Sequence, residues 1–172
     1  HVEHSYTEGF VALHVTHPRR FNTLLRIAYT LFDRVVAVSQ AQGRWLEDRG
    51  HVRKDALRVI QSCVDLSAFR NMTEKRQAVP VLGAIGRLDT QKGFDTLIAA
   101  VRQSPANIRL HIYGEGVEMQ ALQSLAAGDP RISFMGFVSD PAQAMAAVDA
   151  VAMPSRWEAY GLVAIEALSA GR

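Results

Sequence analysis

The stretch Pro154-Ser155-Arg156-Trp157-Glu158-Ala159-Tyr160-Gly161-Leu162-Val163-Ala164-Ile165-Glu166-Ala167-Leu168-Ser169-Ala170-Gly171-Arg172 follows an apolar run over residues 150–153. The run reads as a buried strand, and from Gly161 the Ala- and Leu-rich composition reads as a helix, giving strand, loop, helix. Glu166 stands among Val163, Ala164, Ile165, Ala167 and Leu168. A carboxylate in the most apolar helix of the chain is costly unless something hydrogen-bonds it. Upstream, the loop ends at Tyr160-Gly161-Leu162, where the first-turn N–H groups of a helix offer a place for an anion such as phosphate. On these residues alone a second reading stays open, in which Glu158 favours the positive end of the helix dipole and Glu166 meets solvent or an arginine.

Working back from this stretch, strands at 81–85, 109–113, 132–135 and 150–153 alternate with helices at 93–103, 117–127, 141–147 and 161–170. In the first of these helices Phe94, Leu97, Ile98 and Val101 line one face. Four successive βα units predict an α/β fold with a Rossmann-like, doubly wound parallel sheet. Residues 66–80 have neither period and read as a linker. Before the linker, the tail of a strand at 1–4, a polar loop at 5–18, a helix at 20–32, a strand at 33–38, a helix at 40–49 and a strand at 57–61 repeat the rhythm of a parallel sheet. Ser39 reads as an N-cap and Gly50 as a stop. The expected domains are therefore 1–65, the linker 66–80, and 81–172. Both ends look cut, because the first half has no opening strand and Gly-rich turn and the second stops one helix after the quoted stretch.

The chain has 172 residues, 48% hydrophobic and 21% charged, the composition of an ordinary globular protein. No apolar run reaches the length of a membrane span and no signal peptide opens the sequence, so the expected location is cytoplasmic or at the inner face of the cytoplasmic membrane. Cys63 is the single cysteine, which leaves no internal disulfide. The net charge of +2 is unevenly spread: residues 1–60 carry nine Lys or Arg against six acids, and residues 81–172 seven against nine. A basic first half suits an anionic membrane or a phosphorylated acceptor, or is simply an Arg-rich solvated surface. Neither a basic stripe nor interleaved aromatics point to nucleic acid.

In an open parallel sheet ligands bind beyond the carboxyl ends of the strands. Those ends carry Gly86-Arg87, Gly114-Glu115-Gly116, Gly136-Phe137-Val138 and Pro154-Ser155. In Gly86-Arg87-Leu88-Asp89-Thr90-Gln91-Lys92-Gly93 two cations flank a turn leading into a helix, either bracketing a diphosphate or lying as ordinary surface charges. Gly114-x-Gly116 lacks the third glycine of a dinucleotide fingerprint, the position being Met119. His1, His4, His14 and His17 have no clustered Cys or acid nearby, so no metal is expected. Cys63 reads as a small filler.

Pro154-Ser155 followed by Glu158-x7-Glu166, with Gly161 three residues after the first Glu, closely resembles the donor-binding motif of retaining glycosyltransferases of the GT-B fold, family four. Gly86-Arg87-Leu88 followed by Lys92-Gly93 resembles the start of that family's donor domain, and Gly114-Glu115-Gly116 its Gly-x-Gly loop. The resemblance covers nearly all of residues 81–172 and more weakly the first half, where Val59-Ile60-Gln61-Ser62-Cys63-Val64-Asp65 departs from the family's usual Pro-Asn-Gly-Val-Asp at three positions.

The resemblance implies a GT-B fold with both its N-terminal and C-terminal domains truncated, residues 1–65 being the acceptor-side remnant and 81–172 the donor-binding domain. It also implies that Glu158 contacts the transferred sugar, that Glu166 holds the ribose, and that Tyr160, Gly161 and Leu162 meet the diphosphate through their backbone. Arg87 and Lys92 then stabilise the departing diphosphate, Gly86, Gly114 and Gly116 let the main chain approach the donor, Phe137 and Val138 border the base, and His4 faces the sugar, unless it is merely a histidine hydrogen-bonded in a loop. No Asp-x-Asp pair is present, so no cofactor or metal is expected beside the nucleoside-diphosphate sugar donor, and the acceptor is a glycan or a lipid-linked molecule. The alternative is a non-catalytic nucleotide-binding or interaction module, since catalysis requires both reactants to be held in place.

Overall fold

The computed structural model describes residues 1–70, 72 and 77–172. The chain divides into two compact units, His1–Cys63 with Trp157–Gly161, and Val64–Arg156 with Leu162–Arg172.

The first unit contains β1 (Val2–Glu3), α1 (Glu8–His14), α2 (Pro18–Tyr29), β2 (Val35–Ala37), α3 (Gln40–Asp48) and β3 (Leu57–Val59). Its strands lie in the order β1-β2-β3, all parallel, with Val36 opposite both Val2 and Arg58. Leu25 and Tyr29 of α2 and Leu46 of α3 close over Val35, Ala37 and Leu57 to form the core. Ser39 caps α3 by accepting from Gln42 N at 3.1 Å, and Gly50 follows that helix at φ 62°. The expectation of an unbroken polar loop over 5–18 is corrected by α1. Thr7 accepts from Phe10 N at 3.2 Å, Glu8 occupies the first turn, and the Phe10 ring packs on Tyr6 and Phe21. A cap and one anchoring ring suffice for a seven-residue helix whose pattern is too short to show a period. Helix α2 starts at Pro18, whose missing N–H costs nothing in the first turn, and ends three residues earlier than the apolar pattern predicts.

The second unit contains β4 (Val81–Ile85), a 3₁₀ turn (Thr90–Lys92), α4 (Phe94–Gln103), β5 (Arg109–Tyr113), α5 (Met119–Ala126), β6 (Ile132–Gly136), α6 (Pro141–Ala146), β7 (Ala150–Val151) and α7 (Leu162–Ser169). The order β6-β5-β4-β7, parallel throughout, is that of a doubly wound sheet. Alternate strand residues serve two cores. Ala84, Leu110 and Ile112 face Ile98, Val101 and Leu122 of α4 and α5, while Val81 and Tyr113 face Ala144 and Val148 on the other side. Of the segment read as a linker, residues 71 and 73–76 lie outside the described residues. Phe69 within it is buried among Ala142, Met145, Ala167 and Ala170, with Leu66 and Met72 packed beside it. An aromatic side chain gains more by joining a core than by staying in solvent, whatever the polar residues around it. Strand β7 pairs over two residues only: Ala152 N still donates to the Gly83 carbonyl at 2.8 Å, and Pro154 then has no N–H to continue the ladder.

Candidate functional site

After β4 the chain moves outward to β5 and β6, then returns to place β7 on the opposite side of β4. The connections therefore part between β4 and β7, the point at which an open α/β sheet forms a crevice beyond its strand ends.

A hollow of about 280 Å³ opens at the ends of β4, β5 and β6. Gly86, Arg87, Gly114, Phe137 and Val138, five of the residues singled out from the sequence, line it together with Glu115 and Pro141. The rims fit closely. Gly114 sits at φ +135°, and a Cβ there would overlap the carbonyl oxygen of Gly86. Gly86 N donates to Tyr113 O at 3.0 Å, and Gly114 N to Gly136 O at 2.8 Å, so the three turns are stitched in sequence. Gly116 accepts from Met119 N at 3.2 Å, at the start of α5.

Lys92 lies with its stem across Gly86, where a Cβ would meet Lys92 Cε at 3.2 Å. Asp89 fixes the turn beneath it by accepting from Lys92 N at 3.3 Å. The Arg87 side chain is 75% exposed, pairs with Asp89 at 3.2 Å and donates to Gln91 Oε1 at 3.3 Å. An exposed pair of this kind contributes at most about 1 kcal/mol, so Arg87 is readily exchanged onto a stronger anion. The Phe137 ring is 68% exposed at the edge of the hollow, an aromatic face in reach of a planar base.

Glu166 lies on α7, 8% exposed. Its carboxylate makes no hydrogen bond or ion pair to another described residue, and burial pushes its pKa up. Leu162 opens the same helix. The structure does not place Glu166 on the wall of the hollow.

His4, Glu158, Tyr160 and Gly161 group with the first unit. His4 follows β1 and is exposed. Trp157, next to Glu158, packs its ring edge-on to His14 at 4.6 Å and to Phe10 at 6.1 Å between ring centroids, which draws this stretch toward α1.

Two residues were not singled out in the sequence. Glu3, beside His4, is 3% exposed and accepts from Ser5 N at 2.7 Å, Tyr6 N at 2.9 Å and Tyr29 Oη at 2.6 Å. Burial and that bond to Glu3 push the Tyr29 hydroxyl pKa well up. No local signal marks Glu3, which stands between Val2 and His4. Arg156 is the other. Its backbone N donates to Gln91 O at 2.7 Å, Nη1 to Thr90 O at 2.7 Å and Nη2 to Asp95 Oδ2 at 2.6 Å. The hydrogen bond from Arg156 holds the Asp95 carboxyl below its ordinary range.

Among known proteins, the family model described as Glycosyl transferases group 1 matches residues 79–172. Mannosylfructose-phosphate synthase of Agrobacterium fabrum is 30% identical over 171 residues, covering 84% of this chain and 37% of that protein. The Anabaena protein HepE, solved in complex with UDP and glucose, superposes with a TM-score of 0.75 at 26% identity, over 99% of this chain and 50% of that one. Its complex with UDP-glucose gives 0.74 at 29% identity, over 90% and 49%. The chain thus spans between about a third and a half of these relatives. Among the described residues, no helix is long and apolar enough to cross a membrane.

Proposed function

Since the chain belongs to the family of glycosyl transferases group 1 and has its GT-B-type doubly wound fold, we propose that its second unit binds the nucleoside diphosphate of a sugar donor and that the whole protein is a retaining glycosyltransferase. The observation that carries this reading is the hollow at the strand ends, with Arg87 on its wall and Lys92 laid over Gly86. The bound UDP and UDP-glucose of HepE favour a nucleotide sugar as the donor.

In the proposed reaction the bond between the sugar's anomeric carbon and the diphosphate oxygen breaks, and the electron pair leaves with the diphosphate. An acceptor hydroxyl forms the new bond on the same face, and its proton passes to the departing diphosphate oxygen. Negative charge grows on the departing phosphate, and cations fixed in advance stabilise that charge without reorganising. Arg87 supplies a fork and Lys92 a point charge, so the transfer proceeds without a metal ion. The helix start at Gly161 and Leu162, with Tyr160 before it, contributes backbone N–H groups to the same diphosphate. Glu158 orients the sugar, His4 faces it, Glu166 holds the ribose, and Phe137 and Val138 border the base. The acceptor is a glycan or a lipid-linked molecule, met in the cytoplasm or at the inner face of the membrane.

Titration calorimetry of the chain with UDP tests the donor reading. Wild type releases heat of binding, and Lys92→Met weakens affinity at least about tenfold, the loss of one charge-assisted phosphate contact. Absence of UDP binding by the wild type, or a K92M affinity equal to it, refutes the reading.

A further inference from the structure

Beside the hollow two lips meet beyond β4 and β7, the turn carrying Lys92 and the exit of β7 at Pro154–Arg156. Three hydrogen bonds from a single residue, Arg156, run from the second lip to the first and to the helix behind it. The lips also touch directly, because a Cβ at Gly93 would overlap the Pro154 carbonyl oxygen. We propose that Arg156 is a positioning residue of the donor site, locking the Lys92 turn against the exit of β7 by bridging the Thr90 carbonyl and the Asp95 carboxylate. This inference rests on the donor-binding reading above and assigns the residue that fixes the Lys92 turn beside the hollow.

The geometry suits a guanidinium and no other side chain. Nη1 and Nη2 diverge from one plane, so one prong holds a loop carbonyl while the other holds a carboxylate at the second residue of α4. A lysine carries its three donors on one nitrogen and lacks the planar fork whose two ends serve the carbonyl and the carboxylate separately. Asp95 in turn sits in the first turn of a helix, where a negative charge is favoured. The clamp is therefore referred to α4, whose Ile98 and Val101 are fully or almost fully buried in the core. The Gln91 carbonyl accepts from Arg156 N immediately before Lys92, so displacement of the clamp is passed to Lys92 through a single peptide unit.

Both prongs are occupied by protein groups, so Arg156 acts through the turn and does not touch the donor. Its ion pair with Asp95 is partly exposed, 28% and 40% at the two side chains, and pairs of that kind contribute little to global stability. Its effect falls on binding, where misplacement of a contact group by an ångström is costly.

The test is a double-mutant cycle of Arg156→Met, Asp95→Asn and the pair, read by UDP affinity in calorimetry and by amide hydrogen exchange of residues 90–93 in the ligand-free chain. Positioning predicts that R156M and D95N each weaken UDP affinity roughly tenfold, that the double variant is no weaker than either, and that Arg156→Lys falls between wild type and R156M. It also predicts faster exchange at residues 90–93 in each single variant, with the unfolding midpoint nearly unchanged. If D95N keeps wild-type affinity while R156M loses it, Arg156 contacts the nucleotide itself and the inference falls. If neither variant changes affinity or exchange, the inference falls and the donor reading stands. If wild type fails to bind UDP, the donor reading falls and takes this assignment with it.

Discussion

Replacing Glu166 with Gln should make the free protein more stable at neutral pH and worse at its task. The carboxylate is 8% exposed and meets no donor among the described residues. Burial raises its pKa above the ordinary 4.5, so the folded state holds the proton more tightly than the unfolded state does. The sign follows: the contribution to stability is fully present below 4.5 and is lost as pH rises through the raised folded value. A buried polar group without a partner costs about 1–3 kcal/mol, and the amide retains part of that cost, so a gain of about 1 kcal/mol is expected above the folded pKa. The second unit has about a hundred residues, a size at which 1 kcal/mol moves the melting temperature by about 4–8 °C. Calorimetric melting of wild type and E166Q from pH 4 to pH 8 reads this directly. The two curves should coincide at the acidic end and separate as pH rises, with E166Q the higher. In the same samples UDP affinity should drop, because the amide replaces the charge that the ribose hydroxyls would meet. A pH-independent difference, or a variant that melts lower at neutral pH, would show that the carboxylate already has a partner and refute the argument.

Tyr29→Phe removes the hydroxyl that donates to Glu3 Oε2 at 2.6 Å and leaves a buried carboxylate short of a donor, so urea unfolding should show a loss of about 1–3 kcal/mol. An unfolding curve that overlays wild type would mean that this bond contributes nothing to holding the turn after β1. Asp129 pairs with Arg131 at 2.8 Å, and the hydrogen bond from the Arg131 side chain pulls its carboxyl down from 3.8 to about 2. Its contribution is present above 3.8 and lost as pH falls through about 2, so the deficit of Asp129→Asn should be visible at pH 7 and fade across that acid window. Carboxyl carbon NMR that finds Asp129 titrating at its ordinary value would rule this out.

What the sequence disclosed depended on how local the cause was. Strand β4 falls at 81–85, where its continuous apolar run Val-Leu-Gly-Ala-Ile indicates, and β5 at 109–113, where the apolar Leu110, Ile112 and Tyr113 stand among Arg109 and His111. The hollow was legible as well: in a parallel sheet, residues just past the strands must share an edge, which brings Gly86, Gly114 and Phe137 together. Helix α1 was not, since its seven residues are fixed by the Thr7 cap and by the packing of Phe10 rather than by a repeat. Glu3 and Arg156 escaped because their partners Tyr29 and Asp95 lie 26 and 61 residues away. Nothing in a linear pattern announces a pairing over that distance. Phe69 was hidden by the polar residues that flank it.

Phe69 also bears on where the second unit can be severed from the rest. The family match starts at residue 79, yet this ring is 4% exposed against Met145, Ala142 and Ala170. A shortened chain begun at 79 would leave an uncovered socket on α6 and α7, of the kind that loses about 3–5 kcal/mol when a buried Phe is removed, and would be prone to stick to its own copies. Expression of this half in isolation should therefore begin at Val64, keeping the greasy plug with the helices it seals.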